Sequence, residues 1–208
     1  MQARELLINS AKNLAKTLGW TDAMLVQAAK DNGLSPATSR ALFPNGPIEI
    51  AEILMKEWED KLSTDVTLQQ LEGKELSDQY FVMLKARLSY EISYMPHWGS
   101  AMKLGIYPRN VTSISDRLYS TMNLMCDIVG DHSTGIDWYA KRVGLGQVFT
   151  ATELCMVYDS SKEFEQTWEF LQSQLYSTNF EGVTGLGSLY MGYGFGLLNT
   201  IMPGRRRY

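Results

Sequence analysis

The chain has 208 residues, 45% of them hydrophobic and 20% charged, a composition typical of a globular protein with one core. Its 19 Lys and Arg residues against 23 Asp and Glu residues give a net charge of −4, which argues against nucleic-acid binding. Cys126 and Cys155 form no CxxC pair, so we expect two core thiols in a reducing compartment.

The first 46 residues predict a helix-turn-helix-like unit. Apolar residues recur at the helical period between residues 2 and 18, and Gly19 stands where the first helix should end. A second helix, capped near Thr21, and a third from Pro36 to Phe43 flank a turn at Asn32-Gly33. We therefore expect helix, tight turn and helix in succession.

Residues 47–180 predict a body of longer helices, which together with the first 46 residues forms a single helical domain. Apolar patterns mark five helices, near residues 50–62, 80–94, 112–129, 137–158 and 161–176. The fourth of these is apolar around most of its circumference, as expected of a central, buried helix. Pro96 and Pro108 punctuate the short segment 97–107 between the second and third of these helices. No alternating run predicts a strand, so the fold class is all-α, with about nine or ten helices in all.

Residues 181–203 predict an amphipathic, membrane-associating helix, and residues 204–208 a basic tail. Residues 182–203 contain six glycines and no charge, so this helix needs an apolar surface on which to form. We favour a position in the membrane interface over a transmembrane one, while packing on the chain's own domain or on a second subunit remains open. The predicted membrane contacts are Leu186, Leu189, Tyr190, Tyr193, Leu197, Ile201, Arg205 and Arg206.

The sequence offers no recognisable catalytic machinery. Neither His97 nor His132 follows a Glu by three residues, as a carboxylate metal site in a helical bundle would require. A nucleophile elbow and a phosphate-binding loop are also missing. Glu91 and Glu153 lie in apolar helical patterns and are interpreted as structural carboxylates. We predict no enzymatic activity, catalytic residue, metal site or cofactor.

Several motifs of the sequence are specific enough to compare with known protein families. The longest run is GDHST at residues 130–134 followed by DWYAKR at 137–142, and later motifs are TEL at 152–154 and DSS at 159–161 through FEQTW at 164–168. Together with Gly19-Trp20 and His97-Trp98, these motifs resemble the lipid-binding accessory protein family of coenzyme Q (ubiquinone) biosynthesis, and the resemblance covers roughly residues 15–178. The pattern departs from the family at Gly135, where an acidic residue is common.

The resemblance implies a tetracycline-repressor-like fold without its DNA-reading role, a hydrophobic cavity and a homodimer. It also implies a protein on the matrix face of the mitochondrial inner membrane that takes an isoprenoid quinone, or a phospholipid, from that surface. The lipid would then be presented to the demethoxyubiquinone hydroxylase within the coenzyme Q biosynthetic complex. In this family the docking surface corresponds to Trp138 and Tyr139, with Arg142 one helical turn later; exposed aromatic residues and Arg suit such a surface.

Five apolar residues of the two long helices are candidates for contact with lipid, although each would serve equally well in an ordinary core. They are Met122, Met125, Val129, Val148 and Met156.

Two other functions remain open at this stage. A ligand-responsive transcription regulator would use residues 21–43 as its helix-turn-helix unit, yet only Arg40 of the recognition helix carries charge. An enzyme of quinone modification would require convergent polar groups that we cannot assemble from the sequence.

Overall fold

A computed structural model describes residues 2–66 and 68–178, and these residues form α-helices and no strand. The helices are α1 (Gln2–Leu18), α2 (Asp22–Asp31), α3 (Pro36–Leu42), α4 (Ile48–Asp65), α5 (Leu68–Leu71), α6 (Leu76–Ser89), α7 (Met95–Gly105), α8 (Pro108–Ile128), α9 (Gly135–Tyr158) and α10 (Glu165–Ser177). Eight of them have ten or more residues, slightly fewer than the nine or ten expected, and α3 and α5 are short. The all-α class is confirmed.

The N-terminal helices begin and end where their capping residues predict. The side chain of Thr21 accepts a hydrogen bond from the backbone N–H of Met24 at 3.2 Å, which caps α2. Gly33 turns the chain with a φ of +68°, a region that favours glycine, and Ser35 then caps α3. Helices α2 and α3 pack together and α1 packs on α2, an arrangement consistent with the tetracycline-repressor-like fold.

The short segment between the two prolines forms a helix of its own. The segment between Pro96 and Pro108 is mainly the eleven-residue helix α7, preceded by a 3-10 turn at Ile92–Tyr94. Pro96 lies in the first turn of α7, where a backbone N–H has no partner within the helix, and therefore starts the helix instead of interrupting it. The helix predicted at residues 80–94 accordingly ends earlier, at Ser89.

Four aromatic side chains join the helix-turn-helix unit to the body. The Trp20 ring lies 5.8 Å from that of Tyr94 and 5.3 Å from that of Trp98, and both of these also contact the Trp58 ring. We call these four residues the aromatic node. All four are buried in the same hydrophobic core, so the predicted boundary near residue 46 does not separate two cores; the boundary itself stays a prediction.

Helices α8 and α9 form the centre of the body as an antiparallel pair. Met122 and Leu118 of α8 lie against Gly146 of α9. The Tyr80 hydroxyl meets the Cys126 sulfur at 3.6 Å, which places the start of α6 beside the end of α8. The Tyr176 hydroxyl donates to Asp78 at 2.8 Å, so α10 also ends there.

The predicted amphipathic helix at 181–203 and basic tail at 204–208 lie outside the described residues. Among the helices within residues 2–66 and 68–178, none has the length and apolar character needed to cross a membrane.

Candidate functional site

An exposed cluster of apolar side chains lies where α8 and α9 meet. Ile136 is 70% exposed, Tyr139 62% and Tyr119 41%, and the half-buried Trp138 lies among them. The Trp138 ring makes edge contacts with Tyr139 at 4.8 Å and Tyr119 at 6.0 Å between ring centroids. We call these four residues the aromatic patch. The structure thus places the predicted Trp138 and Tyr139 together on the surface.

Arg142 does not belong to the exposed part of this surface. Its side chain is only 2% exposed, and it extends under the patch. Nε donates to the side-chain oxygen of Asn123 at 2.8 Å, while Nη1 donates to Asp131 at 3.0 Å and to the Trp138 carbonyl at 3.1 Å. Arg142 is therefore not exposed beside the aromatic residues, because α8, α9 and their connection supply acceptors for its buried guanidinium. Its role in partner binding stays a prediction.

Asp131 is the acceptor that organises this connection. Besides Arg142, it accepts hydrogen bonds from the Ser133 hydroxyl at 2.6 Å and from Lys141 Nζ at 2.8 Å. Burial by itself would raise the pKa of this carboxyl, but the hydrogen bonds from Lys141, Ser133 and Arg142 outweigh it and hold the pKa far below the usual range. Asp131 therefore stays ionised and fixes the start of α9.

The departure from the family pattern at Gly135 has a backbone explanation. Gly135 has a φ of +64°, which favours glycine over an acidic residue, and no heavy atom lies within 4 Å of the place where its Cβ would be. The backbone conformation, and not a lack of space for a side chain, therefore favours glycine at this position. The next residue, Ile136, is the most exposed apolar side chain of the aromatic patch.

A second polar cluster lies inside the body and has the geometry of a structural network. Arg87 is buried between the rings of Trp58 and Phe149 and donates to Glu91 at 2.5 Å. The carboxylate of Glu153 accepts from Trp98 Nε1 at 2.7 Å. Burial, together with the nearby Glu153, raises the pKa of Glu91 well above its ordinary value, and burial raises that of Glu153 as well. Their core partners agree with the structural interpretation of both glutamates.

The five residues predicted to contact lipid lie in or against the hydrophobic core. Met122, Met125, Val148 and Met156 are buried members of it, and Val129 is half-buried against it. This placement suits either lipid contact or ordinary packing, so the lipid role stays a prediction. The predicted membrane contacts between residues 186 and 206 lie outside the described residues.

The described residues contain no group of three or more His, Cys, Asp and Glu side chains placed to hold a metal ion. Sequence reasoning missed two members of the aromatic patch, Tyr119 and Ile136. Ile136 immediately precedes the DWY motif and could have been suspected. Tyr119 lies in an amphipathic helix whose exposed face cannot be fixed to one residue from periodicity alone.

Comparison with known proteins shows which protein family the chain resembles. Residues 111–179, which include the aromatic patch, match the COQ9 family. The chain is 31% identical over 184 residues to the human mitochondrial ubiquinone biosynthesis protein COQ9, covering 84% of this chain and 57% of that protein. Identity is 28% to COQ9-A of Xenopus laevis, with the same two coverages, and 29% to the probable coq9 of Dictyostelium discoideum, covering 82% and 57%.

The chain thus spans a little more than half the length of these relatives. The similarity nevertheless extends through most of the chain and includes the whole α8–α9 connection. Over most of its length the chain is thus similar to COQ9 proteins of ubiquinone biosynthesis, and its residues 111–179 match the COQ9 family.

Proposed function

We propose that this protein is a lipid-binding accessory protein of ubiquinone biosynthesis. It binds isoprenoid quinone intermediates at the matrix face of the mitochondrial inner membrane and presents them to the demethoxyubiquinone hydroxylase. Its relatives are named mitochondrial ubiquinone biosynthesis proteins, which supports the pathway and the organelle. In this proposal the protein carries its lipid as a homodimer and performs no redox chemistry itself.

The observation that carries the proposal is the braced aromatic patch. Tyr and Trp are enriched at the centres of protein interfaces, because they bury much apolar area while losing little side-chain entropy. Tyr139 and Ile136 are exposed on a helix end that the buried Arg142–Asp131 pair holds in place. Such a preorganised surface loses little freedom on docking a partner.

The position of α10 supports docking close to a membrane. α10 ends at Ser177, beside the start of α6 and hence beside the end of α8 that leads into the patch. The chain after residue 178 therefore continues from the same end of the body. If residues 181–203 lie in the interface as predicted, the hydroxylase would be recruited next to the lipid surface.

The lipid would be held in the apolar body between α8 and α9. Met122, Met125 and Met156 contribute flexible side chains that adapt to an isoprenoid tail, with Val129 and Val148 beside them. These five residues are the proposed lipid contacts.

The test combines lipid analysis with a binding measurement. Native mass spectrometry and lipid extraction of the purified full chain are expected to show a bound isoprenoid lipid. Tyr139→Glu is expected to abolish capture of the hydroxylase on a biosensor, whereas Tyr107→Glu, an exposed tyrosine at the α7–α8 turn, should leave it unchanged. A lipid-free protein, or equal capture by both variants, would contradict the proposal.

The alternative of a ligand-responsive transcription regulator is favoured by one observation, the α2–α3 helix-turn-helix geometry. The recognition helix has seven residues, and Arg40 is its sole basic side chain. The first turn of this helix carries no charged residue. A salt-sensitive shift of duplex DNA by the full chain at moderate salt would support the regulator and overturn the carrier.

A further inference from the structure

The turn between α7 and α8 exposes a second apolar surface, separate from the aromatic patch. Ile106 is 57% exposed, Tyr107 46% and Val111 44%. Lys103 and Arg109 are exposed on either side of them. We call these five residues the α7–α8 tip. Most protein surfaces carry single exposed apolar residues, whereas here three large apolar side chains are exposed close together.

The tip is held in one conformation by buried contacts. The side-chain amide of Asn110, which is buried, donates to the Leu104 carbonyl at 2.8 Å across the turn. The Tyr107 carbonyl accepts from the backbone N–H groups of Asn110 and Val111 at 2.8 and 3.1 Å. The Ile114 side chain lies next to Gly105, 3.5 Å from the position that a Cβ on Gly105 would occupy. The apolar residues are therefore presented by a fixed turn.

The charge around the tip is opposite to that of the whole chain. Residues 92–115 contain Lys103 and Arg109 and no acidic residue, although the chain has 23 acids and a net charge of −4. Glu91 and Asp116 border this segment in sequence, and Glu52 of α4 accepts a hydrogen bond from Ser113. The tip thus combines three exposed apolar side chains with two positive charges, on a protein whose net charge is negative.

We propose that the α7–α8 tip inserts into the surface of an anionic lipid membrane. Ile and Val side chains gain from leaving water, a Tyr ring suits the depth of the lipid headgroups, and Lys and Arg meet lipid phosphates. Tyr119 of the patch lies eleven residues after Pro108, roughly 16 Å along the axis of α8. The tip and the patch can therefore contact a membrane and a protein separately, and this inference does not depend on the proposed function.

Full-length variants with matched substitutions test this directly. I106S/Y107S is expected to lower partitioning onto phosphatidylcholine vesicles containing phosphatidylglycerol by at least about threefold. Arg109→Ser should lower it roughly fivefold on these vesicles and have no effect on phosphatidylcholine alone. The matched pair I136S/Y139S removes the same two residue types from the aromatic patch and should leave vesicle partitioning within about twofold.

The same variants separate this inference from the proposed function. I136S/Y139S should lose capture of the hydroxylase and keep vesicle binding, while I106S/Y107S should do the reverse. If both pairs lowered vesicle partitioning equally, binding would reflect general apolar exposure and the tip assignment would fail.

A local probe gives a second readout that other membrane contacts cannot mask. An environment-sensitive fluorophore is attached at I106C in a Cys155→Ser background, where the remaining Cys126 is fully buried. Its emission is expected to shift to the blue on anionic vesicles, and the same probe at I136C should not shift. A probe at position 106 that stays in water while the protein is vesicle-bound would overturn the proposal and leave an acidic protein as the partner of the tip.

Discussion

The guanidinium of Arg142 stacks on the ring of Trp138, with Cζ 4.1 Å from the ring centroid, and Nη1 also donates to the Trp138 carbonyl. One side chain thus fixes both the ring and the backbone of the same aromatic residue. The family resemblance suggested Arg142 as a docking residue, and the structure shows it buried, where it holds Trp138 in place.

Arg142→Met is expected to lower the free energy of unfolding by about 3 kcal/mol, because removing one partner of a buried ion pair leaves the other uncompensated. Urea unfolding measures this. Lys61→Met, which removes an exposed i, i+4 pair with Asp65, should cost under about 1 kcal/mol. Comparable losses in the two variants would show that Arg142 does not brace the α8–α9 connection.

Glu91→Gln is expected to flatten the pH dependence of stability above the ordinary carboxyl range. Since the pKa of Glu91 is raised in the folded state, the folded state binds more protons than the unfolded state between the ordinary and the raised values. The free energy of unfolding of the native chain therefore falls as pH rises through that interval. The neutral Gln removes this contribution.

Urea midpoints measured between roughly pH 5 and pH 8 test this expectation. Glu72→Gln, at an exposed position, serves as the control and should retain the native slope. Parallel profiles for the native chain and Glu91→Gln would mean that Glu91 is already ionised in the folded protein.

Asp159→Asn should loosen the start of α10. The carboxylate accepts from the Ser161 N–H at 2.7 Å and from the Thr167 N–H and hydroxyl at 2.9 and 2.6 Å. Burial would raise the pKa of Asp159, but the hydrogen bonds of Ser161 and Thr167 prevail and lower it to about 2. Their stabilisation is therefore complete above the ordinary Asp pKa and is lost as pH falls towards about 2.

Hydrogen exchange measures the effect at the Thr167 amide, which should exchange faster at neutral pH in the Asp159→Asn variant. Asp78→Asn, at the distant end of α10, is the control. Unchanged protection of Thr167 would show that packing alone holds this turn.

The Met122→Ala variant tests whether Met122 contacts the bound lipid or only fills the core. A buried Met→Ala change costs about 2–5 kcal/mol in either case, so stability alone cannot decide. The proposed role predicts less co-purified lipid per protein than in Met24→Ala, which empties an equally buried site in α2. Lipid extraction with quantitative mass spectrometry makes the comparison. Equal lipid content in the two variants would assign Met122 to the core.

Helices whose ends are marked by capping or turn residues nearby in the chain were predicted closely. α1 spans the residues expected from periodicity, and α2 and α3 begin at their capping residues, because caps and turns depend on neighbours in the chain. The sequence left the structure of residues 97–107 open, because a proline can start a helix as readily as interrupt one and the surrounding residues do not say which. The five helices predicted in the body were found, with ends displaced by a few residues.

The site was predicted in part, and for a similar reason. Trp138 and Tyr139 came from the motif, but the burial of Arg142 depends on Asp131 and Asn123, which are 11 and 19 residues away in sequence. The α7–α8 tip was not predicted, because the exposure of a side chain depends on the tertiary structure. The absence of acids from residues 92–115 was visible in the sequence, yet only the fold shows that Ile106, Tyr107 and Val111 are exposed together.

The aromatic node gives the helix-turn-helix unit a structural role that does not involve DNA. Trp20, supplied by the connection between α1 and α2, packs directly on Tyr94 and Trp98 of the body. Deleting residues 1–46 would uncover these rings, and with them the side of the core that holds Arg87 and Glu153. The N-terminal helices therefore serve as a permanent cover that keeps water away from the buried charges.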